Sequence, residues 1–350
     1  MFPPGTVQSS ARSVPPALRA FRLIAVLLAL LAFPAAAQAA AKISIFYYPW
    51  YGNPARDGGW EHWLVPGSET PDIASSFYPA RGLYSSSNPA VVRAQMHEIA
   101  FARVQEVVSS WWSWGSAEDV RLPMIVKEAN AAGLSVAVHL EPYPGRSIET
   151  IEADLDHLRT LGITHVYVYR PFDIPASDWA DLRTREPDFQ LYAQTTLVGK
   201  AAAAKFDGIY TYDVLLWGGD SFSRLCAQAH RVGLLCLPSV GPGYDATHAT
   251  ADVRVKPRRD GATYDAMWRS ALRSSADGVT ITSYNEWHEG TQIEPARARR
   301  PGTAASASLQ SYDGAYGLSG VAAQDAYLDR TLYWSDLFLR SRRVRPWALA

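Results

Sequence analysis

Three glutamates are the candidates for reactive chemistry in this sequence: Glu141, Glu286 and Glu289. Hydrolysing a glycosidic bond normally needs two carboxyl groups flanking it, one of them protonated to donate to the leaving oxygen. Glu286 and Glu289 stand three residues apart, so one turn can aim both into a common cleft. Crowding two carboxylates raises the pKa of one, as an acid working near neutral pH requires. Around them, Tyr51, His62, Trp111, Trp112, His139, Tyr143, Arg146, Tyr210, Tyr212, Tyr244, Asn285, Trp287 and His288 supply rings, donors and acceptors. That mix suits a neutral polyhydroxylated ligand, whose C–H faces stack on rings while its hydroxyls take directional hydrogen bonds.

Other chemistries find less support. His62, His139, Glu141 and His288 could converge on a metal, since alternation along a strand puts His139 and Glu141 on one side. No H-E-x-x-H helix or Cys/His ligand spacing accompanies them, so neither a metal nor another cofactor is expected. Serine-triad catalysis lacks its G-x-S-x-G elbow.

The elements that must position these residues alternate in type. Strand candidates are 43–48, 106–111, 135–140, 165–169, 189–194, 208–212, 234–238 and 278–283, several of them continuous apolar runs as in parallel strands buried on both faces. Helical patterns lie between them, including 89–103, 118–132, 147–161, 221–232 and 263–274, with a last helix near 324–340. Gly133 and Gly233 sit where helix C-caps are expected. Eight βα units in about 300 residues read as a single α/β domain, a (β/α)8 TIM barrel. An open doubly wound sheet would usually show a Gly-rich phosphate loop after its first strand, where this chain has Pro49-Trp50-Tyr51. In a barrel the active site lies at the C-terminal strand ends, which is where the tryptophans, carboxylates, Asn and His cluster.

Residues 1–39 read as a secretory signal peptide, with Arg19 and Arg22, an 11-residue apolar run from Leu23 to Phe33, and small residues up to Ala39. The run is too short for a hydrocarbon core that takes ~20 residues. The expected product is an exported protein of residues 40–350, periplasmic or extracellular, free of the membrane and monomeric. Without residues 1–39 the chain holds 30 basic and 34 acidic residues and no Lys/Arg run, which leaves no electrostatic footprint for nucleic acid. The two cysteines, Cys226 on a helix and Cys236 on the next strand, are expected as buried free thiols. A helix packs about 10 Å from its sheet, and a disulfide needs Cα atoms within roughly 7 Å.

The run Asn285-Glu286-Trp287-His288-Glu289-Gly290-Thr291-Gln292-Ile293-Glu294-Pro295 resembles the signature of glycoside hydrolase family 99, the endo-α-mannosidases. The likeness continues at Phe46-Tyr47-Tyr48-Pro49-Trp50-Tyr51-Gly52-Asn53-Pro54, at His139-x-Glu141-Pro142-Tyr143-x-Gly145-Arg146, and at Pro238-Ser239-Val240-Gly241-Pro242-Gly243-Tyr244, in the family's order. The resemblance implies a (β/α)8 barrel that cleaves internal α-mannosidic linkages with retention and without metal, through participation of the sugar's 2-hydroxyl. Carried over, Glu286 would be the base assisting that hydroxyl and Glu289 the acid/base; Tyr51, His62, His139 and Glu141 would contact the sugar beside the scissile bond. One departure stands out. After Tyr244 the family usually continues towards an Arg-Pro-Trp-Asn run, where this chain has Asp245-Ala246-Thr247-His248-Ala249. That loop would border the extended subsites, so the substrate could differ from the family's. The competing expectations are a related hydrolase or transglycosylase on another α-linked glycan, and a catalytically silent carbohydrate-binding barrel.

Overall fold

The computed structural model describes residues 41–67, 72–297 and 309–343, besides Met1 and Gly5. The apolar run at 23–33 and the expected cleavage site lie outside the described residues. Among the described residues no helix is long and apolar enough to cross a membrane.

Parallel strands and helices alternate as expected. The strands are β1 (Lys42–Tyr47), β2 (Glu106–Trp111), β3 (Ser135–Leu140), β4 (His165–Val168), β5 (Gln190–Gln194), β6 (Gly208–Tyr210), β7 (Leu235–Leu237), β8 (Ser239–Val240), β9 (Tyr244–Asp245), β10 (Val255–Lys256) and β11 (Gly278–Ile281). Besides a single turn at Pro54–Asp57, the helices among the described residues are α1 (Pro89–Phe101), α2 (Ala117–Ala131), α3 (Ile148–Thr160), α4 (Ala176–Arg185), α5 (Val198–Ala203), α6 (Phe222–Arg231), α7 (Ala262–Arg273) and α8 (Ala326–Arg343). Nine strands run in the order β7-β6-β5-β4-β3-β2-β1-β11-β8, a nearly closed TIM-like barrel. The ninth arises because the strand expected over 234–238 resumes beyond Pro238, which lacks an N–H and interrupts the ladder, as Ser239–Val240. Its first half pairs with β6 and its second with β11, so this broken strand bridges the two edges. The amide of Asp277 donates to the Cys236 carbonyl and that of Thr280 to the Pro238 carbonyl across the same seam.

Strand parity decides what faces the barrel axis. On β1 and its exit, Lys42, Ser44, Phe46 and Tyr48 point inward at successive heights. Lys42 and Ser44 reach Glu106 of β2 near the bottom, where His165 and the Tyr167 hydroxyl also bond that carboxylate. Phe46 packs against the rings of His139, Tyr210 and Tyr212 at 4.7, 5.6 and 5.0 Å one layer higher. Tyr48 tops the column and lines the cavity described below. Ile43, Ile45 and Tyr47 face the helices, and the Tyr47 hydroxyl donates to Gln95 of α1 at 2.6 Å.

The cysteines correct an expectation: Cys226 and Cys236 form a disulfide with Cα atoms 5.2 Å apart. The spacing of about 10 Å runs from helix axis to sheet; a Cα on the facing side of a helix stands ~2.3 Å nearer, and at Cys226 the helix lies closer to β7 than that average, which brings the Cα atoms to 5.2 Å. Cys226 lies on the buried face of α6, and Cys236 has the outward parity of β7. Two helices absent from the sequence reading, α4 and α5, complete the ring between β4 and β6.

Candidate active site

The catalytic-face cavity, about 180 Å³, is lined by Tyr48, Trp50, Trp112, His139, Glu141, Pro142, Tyr169, Tyr212, Glu286 and Glu289. Ligand pockets for drug-sized molecules run to ~300–1,000 Å³, so this one is small beside them and a long glycan would extend beyond it.

The turn after β11 places the two glutamates. Asn285 sets its start: the side-chain oxygen accepts the Tyr48 amide at 2.7 Å, and Nδ2 donates to the Tyr48 carbonyl at 3.0 Å. The Tyr51 hydroxyl donates to the Asn285 carbonyl at 3.0 Å and accepts the Trp287 amide at 3.1 Å. The Glu286 amide donates to Ser283 at 2.8 Å, and its carboxylate accepts the His288 amide at 3.0 Å. Trp287 is fully buried, its indole N–H donating to Glu294 Oε2 at 2.9 Å. Glu294 also accepts from Arg81, Tyr84 and Gln95, so this last acid of the motif is a buried anchor for the turn. Downstream, Arg258 Nη2 donates to the carbonyls of Gly290 at 2.9 Å and Gln292 at 2.7 Å. Its guanidinium lies 4.7, 4.9 and 4.6 Å from the rings of Phe77, Tyr312 and Tyr327.

Burial and mutual repulsion govern the acids. Glu286 is 3% exposed; burial first, then the charge of Glu289, hold its carboxyl well above the usual range. Burial, followed by the charge of Asp213, pushes Glu289 up to about 7, while the Tyr212 hydroxyl pulls the other way. That hydroxyl stands 3.4 Å from Glu289 Oε2 and bonds the Tyr48 hydroxyl as well. Glu141 Oε1 accepts from Ser110 at 2.9 Å and lies 2.9 Å from His139 Nδ1; His139 Nε2 meets the Tyr210 hydroxyl at 2.9 Å. Burial thus holds the carboxyls of both Glu286 and Glu289 above the usual range, which keeps a proton in the cleft towards neutral pH. Burial also lowers the pKa of His62 and His288, leaving both as neutral rings. His62 stacks on Trp50 at 4.7 Å and His288 at 5.8 Å, forming one wall. Among the described residues no three His, Cys, Asp or Glu side chains are grouped to hold a metal ion.

Of the residues singled out from sequence, Trp112, His139, Glu141, Tyr212, Glu286 and Glu289 line the cavity, and His62 and His288 back its Trp50 wall. Tyr51, Asn285 and Trp287 instead fix the turn from behind. Tyr210 sits a layer below, under His139. Trp111 points the other way: its parity is outward, it is fully buried, and its indole donates to Asp119 of α2 at 2.9 Å. The Tyr143 hydroxyl bonds Asp154 on α3, and Arg146 bonds the Tyr169 and Arg170 carbonyls at 2.8 Å, bracing two loops. Tyr244 begins the short hairpin of β9 and β10 and donates to Asp252 at 3.0 Å. Tyr48, Trp50, Pro142 and Tyr169 enter the lining unforeseen. The inward parity that holds for Phe46 and Tyr167 marks Tyr48 and Tyr169.

Comparison with known proteins agrees with this architecture. The sequence profile of Glycosyl hydrolase family 99 matches residues 39–340. A glycoprotein endo-alpha-1,2-mannosidase-like protein of Danio rerio is 30% identical over 373 residues, covering 88% of this chain and 80% of the relative. The glycoprotein endo-alpha-1,2-mannosidase of Mus musculus is 28% identical over 361 residues, covering 85% and 75%. The solved GH99 endo-alpha-mannosidase of Bacteroides thetaiotaomicron superposes with a TM-score of 0.77 at 29% identity, over 86% of this chain and 98% of that one. With a matching profile across the whole barrel and its paired glutamates in one cavity, the chain belongs to glycoside hydrolase family 99, the endo-α-mannosidase-like hydrolases.

Proposed function

We propose that this chain is an exported, retaining endo-α-mannosidase acting on internal linkages of a mannan or mannose-containing glycan. The observation that carries this reading is the pair Glu286 and Glu289 in one cavity, with Glu289 poised near pH 7 to give and take a proton. In an α-mannoside the leaving oxygen and the 2-hydroxyl are trans-diaxial, so O2 can displace the leaving group from the opposite side. Glu286 takes the 2-hydroxyl proton as O2 bonds to C1, and Glu289 protonates the departing oxygen. The product of that step is a 1,2-anhydro sugar. Glu289 then deprotonates water attacking C1 while Glu286 returns its proton to O2, giving overall retention. The names of the vertebrate relatives favour an α-1,2 linkage. Export rests on the sequence of residues 1–39 alone.

Proton NMR of residues 40–350 incubated with α-mannan, and with a mannosyl- or glucosyl-α-1,3-mannosyl-α-1,2-mannoside, tests the reading. A disaccharide released first as its α-anomer is the expected result; a β-anomer, or monosaccharide alone, overturns it. Glu289→Gln should abolish turnover of poor leaving groups while sparing binding, and unchanged turnover would move the acid role to another residue.

A further inference from the structure

The loop leaving β2 carries a second tryptophan that the cavity does not use. Trp112 lines the cavity; two residues on, Trp114 is 63% exposed. An exposed tryptophan is usually loose, and this one is held. Its indole lies flat on the imidazole of His157 from α3, with centroids 4.7 Å apart and planes 10° from parallel. Asp119 fixes that imidazole at 2.8 Å and also accepts the Gly115 amide at 2.9 Å. The Trp114 amide donates to Asp154, whose carboxylate is bonded by Tyr143. To turn the indole outward, Ser113 adopts φ 100°, a region that costs a non-glycine residue of order 1–3 kcal/mol, and Gly115 follows at φ 84°. One face of the ring is backed by histidine and the other is open.

A held, one-sided aromatic face on the loop that also supplies Trp112 to the cavity can act as a stacking platform. Trp112 lines the cavity and Trp114 follows it by two residues on the same loop, so Trp112 is the inner and Trp114 the outer tryptophan of a loop that a longer bound chain would meet on leaving the cavity. We propose that Trp114, backed by His157, is an outer carbohydrate subsite that stacks a sugar unit of the same α-mannan chain beyond those enclosed by the cleft. It rests on the α-mannoside reading above and adds that the enzyme favours long chains over short oligosaccharides. The occupant is a neutral sugar: an indole face carries no charge, and the acids that the loop bonds, Asp119 and Asp154, are already engaged by the loop and α3.

The test uses the full mature chain carrying Glu289→Gln, so that polymer is not consumed, with and without Trp114→Ala, in affinity electrophoresis through gels containing yeast-type α-mannan. The expected result is retention about three- to tenfold weaker for the double variant, the span of one aromatic stacking contact. Trp114→Phe, which keeps a flat face, should recover part of it. In the active enzyme, Trp114→Ala should lower the ratio of kcat/KM for polymer over that for a tetrasaccharide by a similar factor. Equal retention of single and double variants overturns the platform and leaves the mannoside reading standing. Absence of retention for both overturns the two together.

Discussion

Arg258 offers the sharpest test of how the catalytic turn is held. Its Nη2 spans the carbonyls of Gly290 and Gln292, and its plane is boxed by Phe77, Tyr312 and Tyr327. A hydrogen bond from a charged donor contributes about 1.5–3 kcal/mol, and each cation–π contact about 0.5–2 kcal/mol. These do not add in full, because the guanidinium has been drawn from water and the contacts share one group. Gln292 also keeps the Tyr312 hydroxyl at 3.0 Å as a second donor. Replacing Arg258 by Met, which keeps most of the volume, should therefore cost about 2–4 kcal/mol in urea unfolding followed by tryptophan fluorescence. Because Gly290 directly follows Glu289, kcat on α-mannan should fall by roughly ten- to a hundredfold, as a misplacement of up to ~1 Å would produce, with a smaller change in KM. Arg258→Lys keeps the charge in the box but loses the planar fork, so both quantities should fall between the Met variant and wild type. A loss below about 1 kcal/mol together with wild-type kcat would refute the idea that this knot positions the turn.

Further predictions concern protons and the crosslink. Glu289 must be protonated to act as an acid, so turnover should decline above about pH 7. Tyr212→Phe removes a hydrogen bond that favours the carboxylate, so the midpoint of that decline should rise by about one unit, taking ~1.5 kcal/mol for the bond; a fall in the midpoint would contradict it. Burial alone would raise the pKa of Glu106, yet His165 and Lys42 outweigh it and hold the carboxyl at about 2. Its folded pKa lies below the ordinary 4.5, so its stabilisation is present above pH 4.5 and drains away as pH falls towards 2. Thermal melts between pH 5 and 2 should show that slope, and Glu106→Gln should flatten it. Reducing the Cys226–Cys236 bond, which spans 10 residues, should cost about 2.5–3 kcal/mol, read as a lower urea midpoint.

Much of the fold was readable because parallel strands buried on both faces announce themselves as apolar runs, and the pairing of Glu286 with Glu289 in one cavity because a three-residue spacing lets one turn aim both inward. What escaped has physical reasons. Helix α5 has six residues, too few for a 3.6-residue period to stand out. Trp111 and Trp112 look alike in sequence, and only strand parity sends one to α2 and the other to the cavity. The disulfide was missed by treating a helix as its axis. Tyr143 and Arg146 carry sugar-binding chemistry on paper, but Asp154 and two main-chain carbonyls claim it. The loop after Tyr244, irregular in sequence, folds as a hairpin whose Asp245 amide donates to the Glu289 carbonyl at 2.7 Å. The departure from the family pattern thus lies directly against Glu289.

Asn285 joins residues 237 positions apart in the chain, clasping the main chain of Tyr48 with its amide. The reactive turn thus exists only where the first and last staves of the barrel have met. A fragment ending before β11 could keep seven strands, their helices and a near-native circular dichroism spectrum while remaining catalytically mute. Turnover is therefore a stricter gauge of completed folding than any spectroscopic signal of secondary structure. Two separately expressed pieces, cut in the exposed loop near Val253, should regain turnover only on joining, which makes the enzyme a reporter of its own reassembly.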